Sequence, residues 1–183
     1  MLPPQVRGWR ASNNRSKRNE FDDGRFRPIA GVPIPSHSRL MSFLTFRYRY
    51  DGTPTHVLDD FGWLEMRVVT ESRSGVGGFW VQWQDVKEFG EKLSAYPIDP
   101  NAPLAEQWGY SENGEYEKVL GIEIAPANAR GGLKVRVEIA DQEDPTDCVK
   151  TSFQTNYPDL AAFQLEIAQL MAGEIEEARL SGR

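Results

Sequence analysis

From position 43 onward, apolar and polar residues alternate. Phe43, Thr45, Arg47 and Arg49 stand against Leu44, Phe46, Tyr48 and Tyr50, an apolar set opposite a mixed one, and a repeat of two is the signature of a half-buried strand. Asp51-Gly52-Thr53-Pro54 ends it. A second alternation sets Trp63, Leu64, Met66, Val68 and Thr70 against Glu65, Arg67, Val69 and Glu71. Ser72-Arg73-Ser74-Gly75-Val76-Gly77-Gly78 reads as a glycine-rich connection and Phe79-Trp80-Val81-Gln82 as a third strand, so the second and third strands are expected to pair as a hairpin around a flexible turn.

The period changes at Gln84. Val86, Phe89, Leu93 and Tyr96 recur at spacings of three and four, with Lys87, Glu88, Glu91 and Lys92 between them, which predicts a short amphipathic helix with Asp85 near its start and Pro97 as its stop. Residues 98–104 carry Pro100 and Pro103 and read as a loop, and Trp108-Gly109-Tyr110 as a short edge strand before an Asn113-Gly114 turn. Leu120, Ile122 and Ile124, a turn from Asn128 to Gly132, then Leu133, Val135, Val137 and Ile139 form the strongest hairpin signal. An acidic loop from Asp141 to Asp147 leads to a further strand with Val149, Thr151, Phe153 and Thr155 on one face. From Pro158 a second helix is expected to run to about Leu180, with Leu160, Phe163, Ile167, Leu170 and Met171 as its stripe and Asn156 or Tyr157 as its cap.

Hairpin-length connections and two amphipathic helices predict an α+β fold, a mainly antiparallel sheet of about six strands with both helices packed on one face. The 183 residues suit one domain, placed at 41–183, and the whole chain has nine Phe, five Trp and six Tyr to bury. Residues 1–40 show no periodicity and hold eight Lys or Arg against three acids, so they read as a disordered basic leader. A basic arm for nucleic acid or anionic lipid is one use for it; a solvated leader, or sequence upstream of a true start at Met41, is the other. No stretch approaches a membrane span or a signal peptide, which predicts a cytoplasmic protein.

Candidate chemistry is sparse. The one cysteine, Cys148, cannot form an intrachain disulfide, and His37 and His56 stand at no zinc-ligand spacing from it. Gly75-Val76-Gly77-Gly78 precedes a strand, whereas phosphate loops lead into a helix, and Asp141-Gln142-Glu143-Asp144 lacks the glycine-centred spacing of a calcium loop. No catalytic residue, cofactor or metal is therefore assigned. Charge is more informative: residues 41–183 hold thirteen Lys or Arg against twenty-four acids, a field that attracts a basic protein partner and repels nucleic acid. Asp59, Asp60, Glu112, Glu115 and Glu117, in loops between strands whose apolar faces are already committed, are the candidate partner-binding residues.

Asp59-Asp60-Phe61-Gly62-Trp63-Leu64-Glu65, the glycine-rich run into Phe79-Trp80-Val81, and Asp85-Val86-Lys87-Glu88-Phe89-Gly90-Glu91-Lys92-Leu93 resemble the WapI-type immunity proteins of bacteria. Thr155-Asn156-Tyr157-Pro158-Asp159-Leu160-Ala161-Ala162-Phe163 is similar to the strand-to-helix junction of that group, and the resemblance spans about residues 43–172. It implies a non-enzymatic cytoplasmic protein that binds and neutralises a cognate polymorphic toxin, with no catalytic residue carried over. The leader and a loop-like insertion from Ala95 to Tyr110 depart from the pattern. The alternatives from other classes are a small α+β ligand-binding domain, which would need a pocket with convergent polar groups, and a structural domain with neither pocket nor partner.

Overall fold

A computed structural model of the protein describes residues 41–50, 60–112 and 114–183. The expected leader, the Asp51–Pro54 turn and Asp59 lie outside the described residues.

Among the described residues eight strands and two helices follow one another as β1 (Phe43–Tyr50), β2 (Phe61–Val69), β3 (Ser74–Gln82), α1 (Trp83–Lys92), β4 (Leu104–Glu112), β5 (Glu115–Pro126), β6 (Gly132–Ala140), β7 (Cys148–Asn156), α2 (Tyr157–Met171) and β8 (Ala178–Ser181). They form two antiparallel four-stranded sheets, ordered β3-β2-β1-β8 and β4-β5-β6-β7. The α+β class and the antiparallel pairing agree with the sequence reading. The expected single sheet of about six strands is corrected to two sheets of four. Alternation reports only that a strand has one buried face, and two sheets facing each other satisfy it as well as one sheet under two helices.

Register decides which residues look inward. Leu44, Phe46 and Tyr48 of β1 stand opposite Val68, Met66 and Leu64 of β2, and Gly75, Gly77 and Phe79 of β3 continue those rows. In the second sheet, Leu120, Ile122 and Ile124 oppose Ile139, Val137 and Val135. The two helices pack on each other and on the sheets, α1 on β3 and α2 on β1, β8 and β7, so the expectation that both lie on one sheet face is met only roughly. At the centre Phe46 meets Phe163 edge to face at 5.4 Å and Trp108 at 6.2 Å, and Phe89 meets Trp108 at 5.9 Å. One aromatic cluster thus joins β1, both helices and β4, each ring bringing a large apolar area and an edge-to-face contact beyond it.

Three further expectations change. The glycine run is not the hairpin connection: Thr70 and Arg73 close that turn, and β3 already includes Gly75, Gly77 and Gly78. A Cβ on Gly77 would stand 2.5 Å from Ile139 Cγ2, and one on Gly75 would stand 3.1 Å from Val149, so these glycines let β3 lie close over the second sheet. The short edge strand at Trp108 is nine residues long and takes in half of the expected insertion loop. The second helix stops at Met171 instead of running to Leu180: Gly173, at φ +74°, takes the left-handed turn that ends helices, and Ala178 and Leu180 return as a strand beside β1. Its start matches the reading, with the Asn156 side chain accepting from Asp159 N–H at 2.9 Å and Pro158 in the first turn. Among the described residues no helix is long and apolar enough to cross a membrane.

Candidate functional site

The β4–β5 hairpin gathers most of the acidic candidates. Pairing sets Glu112 opposite Glu115 and Tyr110 opposite Glu117. Like charges facing one another across an antiparallel pair disfavour the hairpin, so nothing in strand stability asks for them there. Register shifts between Trp108 and Gly109, and a Cβ on Gly109 would collide with the Glu117 carbonyl; the glycine lets the two strands stay close through the irregularity.

Tyr110 anchors this end. Its ring stacks on Phe79 with centroids 6.3 Å apart, its hydroxyl donates to the Gln142 carbonyl at 3.0 Å, and the Gln142 amide donates to the Gly78 carbonyl at 2.9 Å. These bonds fold the Asp141–Asp147 loop against the hairpin and bring Asp141 to the same phenol. Burial, then the charges of Glu112, Glu117 and Asp141, push the Tyr110 hydroxyl above its ordinary value of 10.0.

A second phenol continues the edge. Tyr116 is also raised, by burial first and then by Glu106 and Asp85, and its hydroxyl donates to the Gln107 carbonyl at 3.4 Å. Asp85 in turn is raised by burial, then by Glu106 and Glu88, with Lys92 opposing. Lys92 is committed to Glu106 at 2.7 Å. Carboxylates therefore run from the Asp141 loop, along the hairpin, to the first turns of α1. Among the described residues Glu112, Glu115 and Glu117 have no cationic partner.

The other candidates are placed differently. Asp60 sits where β2 meets α1, its carboxylate accepting from the Trp83 indole at 3.3 Å and its carbonyl from the Trp83 N–H at 2.9 Å, which is a bond that positions the helix start. Tyr110, Tyr116, Asp85, Glu106 and Asp141 join the acidic edge without having been named as partner-binding candidates in the sequence. The alternation through Trp108 and Tyr110 was the available signal, obscured by Pro103 and Gly109.

The outer face of the second sheet carries an open trough of about 730 Å³ whose charges are paired. Glu138 accepts from Lys150 at 2.8 Å and from Lys118, and Glu123 accepts from Arg136. Burial works to raise the Glu138 carboxyl, but the hydrogen bonds and charges of Lys118 and Lys150 hold it below the usual range. Among the described residues no group of acids, histidines and cysteine could hold a metal ion.

No family model, curated protein or solved structure matches the chain. The acidic edge must be interpreted from its own chemistry.

Proposed function

We propose that this chain is a non-enzymatic immunity-type protein that binds and neutralises a bacterial toxin domain of basic surface. The observation that carries the reading is the contrast between the two acidic regions. On the outer sheet face Glu106, Glu123 and Glu138 of the trough are each matched by lysine or arginine, while at the hairpin end Glu112 faces Glu115, Glu117 faces Tyr110, and none of the three has a cationic partner among the described residues. Uncompensated carboxylates on a rigid hairpin cost the free protein electrostatic energy that a basic partner relieves on binding. Tyr110 and Tyr116 add amphipathic area of the kind protein interfaces favour. The resemblance of residues 43–172 to immunity proteins agrees with this chemistry.

The test is co-expression with the toxin domain encoded in the neighbouring reading frame, followed by association kinetics on the purified pair. Growth should be rescued, and the association rate should fall steeply between about 0.05 and 0.5 M salt as the Debye length shrinks. Replacing Glu112, Glu115 and Glu117 by Lys should slow association while leaving the melting transition in place. No rescue by the wild-type chain would overturn the function; rescue with equal rates for wild type and triple variant at low salt would overturn this surface.

A further inference from the structure

We propose that the outward face of the first sheet is a second docking surface, built for an acidic segment of a protein partner. The pairing of β1, β2, β3 and β8 aligns its residues in rows. Arg49, Trp63 and Trp80 form one, and Arg179, Thr45, Arg67 and Val76 another. Thr45 is buried, with Arg67 and Arg179 as its two cross-strand neighbours.

The tryptophans are held in place. Trp63 meets Trp80 edge to face at 5.6 Å, and a Cβ on Gly78 would stand 2.5 Å from the Trp63 indole, so the missing side chain is what lets that ring lie across the sheet. Trp80 remains 47% exposed, and the Arg179 guanidinium stands 4.1 Å from the centroid of the Phe43 ring. Arg47 is taken by Glu177 at 2.8 Å. Among the described residues Arg49, Arg67 and Arg179 have no carboxylate on their guanidinium groups. A chain of net charge −6 thus presents arginine and tryptophan together on one rigid face. These residue types dominate interface hot spots, because rings fixed on strands lose little freedom on binding and guanidinium forks match carboxylates.

Charge selects the occupant. Residues 1–40 carry the same sign as the face, and a second copy docking through the same face would set arginine against arginine. For single-stranded nucleic acid the geometry is poor: the Trp63 and Trp80 planes are inclined at 74°, so they give no parallel platforms for successive bases, and Glu65 lies within the face. An acidic segment with interspersed apolar side chains meets both the arginines and the indoles. This surface lies on a different sheet from the acidic hairpin and does not depend on the toxin-binding reading.

The experiment titrates the full chain with three probes, following tryptophan fluorescence: a synthetic peptide of alternating Glu and Leu, its Lys-for-Glu counterpart, and oligothymidylate. The acidic peptide should saturate the signal and bind about tenfold or more tightly than either other probe, and Arg67→Glu and Trp80→Ala should each weaken it by about tenfold with unchanged melting. Tighter binding of oligothymidylate would make the face a nucleic-acid surface and overturn the proposal. So would sedimentation showing that the free protein self-associates and that Arg67→Glu abolishes this. Absence of saturable binding by the acidic peptide would also overturn it.

Discussion

A close approach of the two sheets is open to a direct test at Gly77. Its backbone is extended and its φ is not positive, so alanine fits the local conformation and should stabilise through the unfolded chain by about 0.4–1 kcal/mol if space were free. Space is not free. The new Cβ would stand 2.5 Å from Ile139 Cγ2, against an optimum near 3.5–4.0 Å, and Ile139 is completely buried. Relief requires the sheets to part or Ile139 to leave its rotamer, an overpacking cost of about 1–3 kcal/mol. Gly77→Ala should therefore destabilise by about 1–2 kcal/mol net, which at this chain length lowers Tm by about 2–8 °C. Urea unfolding followed by tryptophan fluorescence should show a lower midpoint with an unchanged slope. Ile139→Ala alone should cost about 2–5 kcal/mol through its cavity, and the double variant should cost less than the sum by about 0.5–3 kcal/mol, because the alanine methyl occupies part of the vacated space. Gly75→Ala, with Val149 at 3.1 Å, should be the milder change. A neutral Gly77→Ala, or additive effects in the cycle, would refute the close approach as the reason for the glycine.

Other expectations follow from single contacts. Phe163→Ala should cost about 3–5 kcal/mol in denaturant melts, since the ring is fully buried against Phe46, whereas Leu165→Ala, 66% exposed on the same helix, should stay within about 0.5 kcal/mol. Asn156→Ala should cost about 1 kcal/mol by removing the α2 cap, read in the same melts. The Glu138 carboxyl is held low, so its contribution to stability is present above the ordinary carboxylate range and lost as pH falls through the depressed folded value. The acid-side slope of melting temperature should flatten in Glu138→Gln. Tyr110 is shifted the other way: the stability tied to its neutral phenol is complete below pH 10 and declines as pH rises past it, so Tyr110→Phe should flatten the alkaline slope.

Much of the fold was legible because alternation survives where strands have one wet face. β1, β6 and β7 lie within a residue or so of the patterned segments, and Asn156 with Pro158 announced α2. The glycine run misled because glycine serves a turn and a close sheet contact equally well, and only Ile139 and Val149, far along the chain, distinguish them. The apolar stripe of α2 carries on through Met171, Ile175 and Ala178, so helical spacing continues past the point where Gly173 turns the chain. At the candidate site, Glu112, Glu115 and Glu117 were visible as charges. Their grouping with Asp141 around Tyr110 was not, since it depends on Gln142 bonding to Gly78 across the fold.

Phe43 and Ser181, paired between β1 and β8, stand 138 residues apart in sequence. Such a contact closes a very long loop, which places it among the slow steps of folding. At a ribosome adding about 5–20 residues per second, β8 emerges on the order of ten seconds after β1. Throughout that interval the edge of β1 that faces away from β2 presents unpaired backbone donors and acceptors, an open template for strands of other nascent chains. Completion of the first sheet thus lags well behind the synthesis of its first three strands, and crowded expression should expose that lag as aggregation before any loss of equilibrium stability is measurable.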